Sequence, residues 1–535
     1  PCTATSPTNE ASPVPSTIVP FLITRSNIST TFLPVGVGAR RYRLAAAGRC
    51  SAADSLRRVS IGRARVLVFF ASASVLVLEI LAGRLMAPYV GVSLETFTAI
   101  IGTILAGIAL GSAAGGRLAD RHDPRRLLGP VLVVGGGLAW LSLPIVSTLG
   151  PSLGSEPLAI VTLAALAFVA PAAVLSAVTP LTTKLRLASL DETGTVVGDL
   201  SAAGTAGALF GTFVTGFVLV AALPTRPIVL VLGAALVAVG AALTFLARRS
   251  MPSGTPAAVL LLVVALGAGL TADNPCEWES AYFCGRVVTD PDDPSKRDLI
   301  LDTLRHASVD LDDPTNLDIR YIRLIASVID TTAPAGAIDV LHLGGGGFTV
   351  PMWVEATRPG SYNEVLEIDQ TLVDVVEDDF GLVAGPDMVV RVGDARLALD
   401  DPPDDSFDVV VGDAFGGLSV PWHLTTTEVI AEVDRVLRPG GVYVMNVIDG
   451  GANRFAEWET RTLLEHFDHV TVIVPPGGVG DRPVNQILVA SDEPLPPLRP
   501  DPADGDEIAD LDAYVDDGRV LRDDYAPVEQ LAANP

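Results

Sequence analysis

The chain is short of positive charge. Its 535 residues include 36 Lys and Arg against 62 Asp and Glu, a formal net charge of −26 at pH 7. Unspecific nucleic-acid binding through phosphate contacts is thereby excluded. Cysteine is scarce too, and four residues are too few for a fold built on disulfides. The compact charge–apolar–small pattern of a signal peptide is missing from residues 1–60, which are rich in Pro, Ser, Thr and Ala without sustained periodicity. That composition predicts a poorly ordered extension. Charged residues make up only 18% against 49% hydrophobic, and the mean hydropathy of +0.44 is high for a soluble protein. The length allows two or three domains.

What is abundant is long apolar sequence. Segments at roughly 64–89, 97–118, 127–149, 157–179, 196–221, 226–247 and 256–272 follow one another. Most reach the ~20 residues needed to cross a bilayer, and the last, about 17 long, is the shortest. Buried soluble helices are the alternative, but seven in a row with almost no polar faces argue for a membrane region over 64–272. Arg57, Arg58, Arg63 and Arg65 precede the first segment, and Arg117, Arg121, Arg125 and Arg126 follow the second. Lys184 and Arg186 follow the fourth, and Arg248 and Arg249 the sixth. The loop between the third and fourth has neither Lys nor Arg. The positive-inside rule then puts the N-terminus in the cytoplasm. Seven crossings would put the rest outside, away from a cofactor made in the cytoplasm, unless the seventh segment does not cross. Glu79, inside the first segment, is expected to face other helices or a polar cavity, either fixing packing or contacting a transported substrate.

From Asp273 the character changes. CEWESAYFCGRVV and DLILDTLRHASVDL read as short strands and the stretch from Leu317 as a helix, a small subdomain over 273–330. Cys276 and Cys284 would lie about 26 Å apart on a continuous strand. They can bond only if the chain turns between them, near Ser280. A bond would favour an oxidising compartment; two free thiols are the alternative.

Residues 331–492 alternate strands with helices. IDVLHL is a strand, Gly344, Gly345, Gly346 and Gly347 a tight turn, FTVPMWVEAT a helix with Pro351 in its first turn, and NEVLEID a second strand. MVVRVGDA ends at Asp394 and FDVVVGDAF at Asp413. TTTEVIAEVDRVLRPGG is a helix with a Pro-Gly-Gly stop, VYVMNVID a fifth strand, and HVTVIVP and QILVAS two closing strands. The alternation predicts a doubly wound, Rossmann-like parallel sheet with ligands at the carboxyl ends of its strands. Residues 493–535 form an acidic tail expected at the surface.

Glu367, Asp394 and Asp413 all fall at such strand ends. A nucleoside offers two ribose hydroxyls and an exocyclic amine, all donors that carboxylates accept. Glu367 is placed at the ribose, Asp394 with the Ala395 backbone at the adenine edge, and Asp413 at the reacting centre, holding or deprotonating an amine. Each acid taken alone could instead cap a helix or sit in a solvated loop.

LGGGG, LEID, GDA, GDAF and VLRPGG, in that order, resemble the spermidine synthase (aminopropyltransferase) branch of class I S-adenosylmethionine-dependent transferases. ESAYF, LILDTLRHASVDL and Tyr321 resemble that family's small N-terminal β-domain. EILAGRLMAPYVG, GIALGSAAGGRLADR and DDYAPVEQL resemble bacterial proteins that fuse a transporter-like membrane region to such a domain, and GRLADRHDPRR also resembles a loop of major-facilitator transporters. The likeness runs from about residue 65 to the C-terminus. It implies decarboxylated S-adenosylmethionine as donor, a diamine acceptor, no metal, and an acceptor pocket lined at Tyr282, His306 and Tyr321. It also implies a multi-pass protein of a bacterial plasma membrane, with the bilayer and a small amine as partners and a homodimer left open. Three departures stand out. Gly347 replaces an Asp of the glycine turn, Gly416 and Gly417 replace the second Asp and the Pro of a D-x-x-D-P pattern, and His306 stands near the pocket glutamine. The nucleoside pocket is kept and the diamine pocket reduced; His306 and His423 are candidate replacement bases. The alternatives are a methyltransferase using S-adenosylmethionine on a lipid or small molecule, and a transporter or sensor whose C-terminal domain binds a nucleoside or polyamine without turnover.

Overall fold

The structure, a computed structural model, describes residues 60–154, 156–187, 190–247, 255–417, 419–480, 482–498, 504–515 and 518–532. Apart from Ser60, the extension expected over 1–60 lies outside them, as do Arg57, Arg58, Arg248 and Arg249.

Among the described residues six helices are long and apolar enough to cross a membrane: α1 (Ile61–Val90), α2 (Leu94–Arg121), α3 (Pro124–Leu153), α4 (Pro157–Arg186), α5 (Thr193–Ala222) and α6 (Thr225–Ala247). A shorter α7 (Thr255–Thr271) has 17 residues, about 25 Å of helix. The starts are encoded locally. Ser93 Oγ accepts from the Thr96 N–H at 3.1 Å, and Asp123 Oδ1 from the Arg125 N–H at 3.1 Å, with Pro124 in the first turn of α3. Short connections make successive helices run up and down. Small residues let them approach closely: a Cβ on Gly111 would lie 1.9 Å from the Ala173 carbonyl oxygen, and one on Gly207 2.2 Å from that of Phe69. Single π-helical turns interrupt α4 at Ala165–Val169 and α5 at Thr215–Leu219. Glu79 is half-buried on α1. The seventh helix lies along α3 and α6, with Leu262 against Gly137, and the Arg226 guanidinium at the start of α6 donates to the Gly269 carbonyl at 3.1 Å.

A four-stranded antiparallel sheet follows, β1 (Trp278–Glu279), β2 (Cys284–Thr289), β3 (Lys296–Leu301) and β4 (Leu304–Asp310), in sequential order. The chain does turn at Ser280, whose Oγ accepts the N–H groups of Tyr282 and Phe283 at 3.0 Å each. That hairpin brings the Cα atoms of Cys276 and Cys284 to 5.1 Å, and the two are joined by a disulfide.

After α8 (Arg320–Thr332) come β5 (Asp339–Leu343), α9 (Thr349–Thr357), β6 (Tyr362–Glu367), α10 (Gln370–Asp379), β7 (Met388–Val392), α11 (Ala395–Ala398), β8 (Phe407–Gly412), α12 (Thr427–Val436), β9 (Leu437–Asp449), α13 (Arg454–Leu463), β10 (His469–Val474), β11 (Val484–Ser491), β12 (Glu507–Ile508), α14 (Leu511–Tyr514) and α15 (Val528–Ala532). The sheet order is β12-β10-β11-β9-β8-β5-β6-β7. Strands β5 to β9 pair in parallel, while β11, β10 and β12 are antiparallel, so the sheet is mixed rather than wholly parallel. The physical reason is the lack of a crossover between β10 and β11: nine residues join them, too few for a helix to carry the chain back. Both faces are covered. Val340 and Val409 pack under α8 and α9, and their neighbours Leu341 and Val410 under α12 and α13.

The tail departs from the expected surface segment. Leu521, Val528 and Leu531 are buried against the core of the second face. Arg323 pairs with Asp504 at 2.8 Å and Arg320 with Asp506, tying the tail to α8. The two halves of the protein also touch. Arg84, near the end of α1, donates to the Ala281 and Ser280 carbonyls. Glu279 accepts the Thr225 N–H at 2.9 Å and so caps α6 from the other half.

Candidate functional site

The carboxyl ends of β5 and β8 lie side by side, and the chain departs from them in opposite directions across the sheet. Open α/β sheets leave a crevice at this switch point. Gly344 leaves β5 with φ +94°, and a Cβ there would lie 2.8 Å from the Asp413 carbonyl oxygen. The turn therefore needs glycine twice over, for its conformation and for its closeness to β8.

Two adjoining chambers fill the crevice. The smaller, about 100 Å³, is lined by Glu367, Asp394 and Ala395 together with Ile368 and Leu424. The larger, about 260 Å³, reaches past Tyr321, His342 and Asn446. His306, Gly344, Gly346, Asp413 and Phe415 line both, so Asp413 stands at the junction.

Each acid is held by its place in the fold. Glu367 ends β6 buried, and its Oε2 accepts the N–H groups of Gly345 at 2.9 Å and Gly346 at 3.4 Å, while Oε1 accepts that of Asp369 at 2.9 Å. Burial raises its pKa and these three N–H groups oppose the rise. A carboxylate has about four acceptor sites, so capacity remains for one further donor such as a hydroxyl. Asp394 does cap α11, accepting the Arg396 N–H at 2.9 Å, while its other oxygen lies 3.4 Å from His423 Nε2. Capping and chamber lining thus coexist in one residue. Asp369 caps α10 and accepts the Ser280 hydroxyl, which joins the hairpin to the start of α10.

Asp413 follows β8. Asn446 Nδ2 donates to Oδ1 at 2.8 Å and the Tyr321 hydroxyl to Oδ2 at 3.3 Å. Burial pushes its pKa up to about 7, and the two donors hold it from rising further. Burial likewise raises the Tyr321 phenol, with the Asp413 charge adding to it. His306 is pushed down to about 4 by its enclosure, and His342 to about 4 by burial against its bond to Asn363. Both imidazoles are neutral near pH 7. Asn485 Nδ2 donates to Asn446 Oδ1 at 3.1 Å, which fixes the amide that faces Asp413. A carboxyl titrating near neutrality beside an open chamber can take a proton from an ammonium or hold one.

Gly344, Gly345, Gly346, Glu367, Asp394, Ala395, His306, Tyr321 and Asp413 therefore converge, although Gly345 touches only the larger chamber. Tyr282 lines neither chamber: it is 46% exposed at the hairpin tip, where burial and then the charges of Asp369, Asp394 and Glu367 raise its phenol pKa, while its neighbour Phe283 lines the smaller chamber. Gly417 lines the larger chamber with φ +84°, close to the Val92 carbonyl of the α1–α2 connection. The sequence reading missed His342, Asn446 and Asn485. For His342 and Asn446 the signal was polarity inside strands that are otherwise apolar, DVLHL and VYVMNVID, since buried polar groups need a partner or a purpose. Among the described residues no group of three or more His, Cys, Asp or Glu could hold a metal ion.

No family model matches the chain. It is 26% identical over 173 residues to the polyamine aminopropyltransferase of Vibrio vulnificus, covering 32% of this chain and 56% of that protein. It is 27% identical over 169 residues to the polyamine aminopropyltransferase of Chromobacterium violaceum, covering 32% and 63%. The match thus spans about half to two thirds of these relatives' own length. Among solved structures it is similar to a probable spermidine synthase from Corynebacterium glutamicum, at 26% identity over 47% of this chain and 97% of that one, with a TM-score of 0.44. A spermidine synthase in complex with the transition-state analogue AdoDATO is 15% identical over 47% and 82%, with a TM-score of 0.32. Part of the chain thus has homology, at modest identity, to polyamine aminopropyltransferases.

Proposed function

We propose that the protein is a membrane-anchored, spermidine synthase-like transferase that moves an aminopropyl group from an S-adenosylmethionine-type donor to an amine. The observation that carries this reading is the pair of chambers meeting at Asp413, with Glu367 and Asp394 on one side only. The donor's nucleoside takes the smaller chamber and the acceptor the larger. The acceptor nitrogen attacks the propyl carbon, the carbon–sulfur bond breaks, and its electron pair stays on sulfur as a neutral thioether. The proton released by the nitrogen goes to Asp413 and then to water. Homology to the aminopropyltransferases supports the group transferred. The test is transfer of label from donor carrying it in the propyl chain or, separately, in the methyl group, to a mixed amine pool by the full chain in detergent. Propyl label should move, and Asp413→Asn should slow it by ~10²–10⁴-fold. Transfer of methyl label alone would replace the reading with a methyltransferase.

A second reading, ligand binding without turnover, is favoured by where the domain attaches. Arg63 and Arg65 start α1, Arg117 and Arg121 end α2, Arg125 and Arg126 start α3, and Lys184 and Arg186 end α4, all at one set of helix ends. The C-terminal half contacts the other set, at Arg84, Thr225 and Val92. By the positive-inside rule that side faces away from the cytoplasm, and the Cys276–Cys284 disulfide suits it. A donor made in the cytoplasm would not reach it unaided. Labelling of Cys276 and Cys284 with an impermeant thiol reagent, in a Cys2→Ser, Cys50→Ser background, decides the side. Labelling of intact cells only after reduction supports the outward placement; labelling without reductant, only in opened cells, removes the case for this second reading.

A further inference from the structure

The larger chamber has an uneven charge layout. Among the described residues Asp413 is its single carboxylate, and it sits at the end shared with the donor chamber. Away from that end the polar lining consists of Asn446, Asn485, the Thr349 hydroxyl and the neutral His342. The remaining charge in the lining is positive: Arg305, whose guanidinium is turned to Asp298 at 2.7 Å and Asp318 at 2.6 Å, neither of which lines the chamber. The rest of the far wall is apolar, including Ile319, Ile322, Val350 and Ile448.

At Gly347 the turn that faces this chamber has no room for a side chain. A Cβ on Gly347 would lie 2.2 Å from the Ala307 Cβ of strand β4. The small sheet therefore occupies the space that a side chain there would need. A second ammonium entering the chamber would lose part of its water without meeting a carboxylate among the described lining residues. Burying an unpaired charge costs several kcal/mol, enough to move the group out or to forbid binding.

We infer that the acceptor is an amine with one cationic end, seated against Asp413, and an uncharged, largely apolar remote end. This rests on the transferase reading for the word acceptor, but the selectivity itself belongs to the chamber and shows in binding as well as in transfer. The fit would reverse if the far wall gained an acid. Thr349 is the place to add one. It is buried, its hydroxyl lacks a hydrogen-bond partner, it lines the chamber, and it opens α9, where a carboxylate is favoured by the helix dipole.

The test compares n-butylamine with 1,4-diaminobutane, which match in length and differ in the second ammonium. Calorimetry on the full chain in detergent gives the two Kd values, and labelled donor gives the two kcat/KM values. The monoamine should be preferred by at least tenfold in both. Thr349→Asp, accepted only if its Tm stays within a few degrees of the parent, should shift the ratio toward the diamine by tenfold or more. Tighter binding or faster transfer of the diamine by the parent protein overturns the inference and leaves the transferase reading intact. Transfer to neither amine, with the monoamine still bound more tightly, upholds the inference and overturns the transferase reading. Binding of neither at millimolar concentration overturns the inference.

Discussion

Asp413→Asn should make the protein more stable at high pH while slowing turnover by ~10²–10⁴-fold. The native carboxyl has a pKa of about 7 against an ordinary 3.8. The native state therefore binds the proton more tightly than the unfolded chain does. Stability contributed by that proton is complete below about pH 4, declines as pH rises, and is gone above about 7. Roughly three units at 1.36 kcal/mol each give about 4 kcal/mol of destabilisation by the ionised group at pH 8. Asparagine carries no charge and keeps an oxygen for Asn446, while its amide can donate to Tyr321; an imperfect replacement of those two bonds returns about 1–2 kcal/mol. The net expectation is a gain of about 2–3 kcal/mol at pH 8 and a loss of about 1–2 kcal/mol at pH 4. The assay is urea unfolding of the C-terminal half at pH 4, 6 and 8, followed by Trp fluorescence, with transfer measured in parallel. A difference between variant and parent that does not grow with pH would refute the raised pKa. A difference that grows while turnover survives would refute the role of Asp413 as base.

Three further outcomes follow from other contacts. Tyr321→Phe removes a donor that steadies the ionised Asp413, so the rising limb of the pH–rate profile should move to higher pH and kcat/KM should fall by ~10-fold; an unmoved limb would mean that the 3.3 Å contact is incidental. Gly347→Asp should not add diamine use but should destabilise by about 1–3 kcal/mol, because its Cβ would meet Ala307 at 2.2 Å, and Ala307→Gly in the same chain should recover part of that Tm; a fully stable single variant would contradict the packing. Cys284→Ser opens a loop closed over a sequence separation of eight and should cost about 2–3 kcal/mol, read as a lower Tm of the C-terminal half that reductant no longer changes.

How much of this was legible in the sequence depends on the range of the interaction concerned. Long apolar runs announce their helices because a bilayer-length helix needs nothing but its own composition, and the ends agree with Ser93, Asp123 and Pro124, residues that act within one turn. Glu367, Asp394 and Asp413 were legible for a similar reason: parallel strands separated by helices put their carboxyl ends on one edge, so the order of elements suffices. The mixed sheet and the buried tail were not. Leu521, Val528 and Leu531 lie among acids and prolines, and only the exposed apolar flank left by α12 and α13 makes their burial favourable. Nor was the partnership of Asn446 with Asp413, which arises because Gly412 is paired with Met445, 33 residues further on.

The disulfide lies between these cases and bears on function most directly. Spacing alone left Cys276 and Cys284 open, since eight positions suit a bond only if a hairpin forms. The hairpin forms because Ser280 supplies an oxygen to two N–H groups, and the same Ser280 donates to Asp369 at the start of α10, while its carbonyl accepts from Arg84 of α1. One serine thus joins the cystine turn, the edge of the smaller chamber and the first long helix. Glu279, the residue before it, caps α6 from the same hairpin. The β1–β2 hairpin is therefore a joint through which the helical half and the C-terminal half hold one another. Reduction of the disulfide should loosen the donor chamber before it unfolds either half, so donor affinity should fall on reduction at temperatures where the far-ultraviolet spectrum is unchanged. Donor affinity indifferent to reduction would confine the disulfide to a structural part in the hairpin alone.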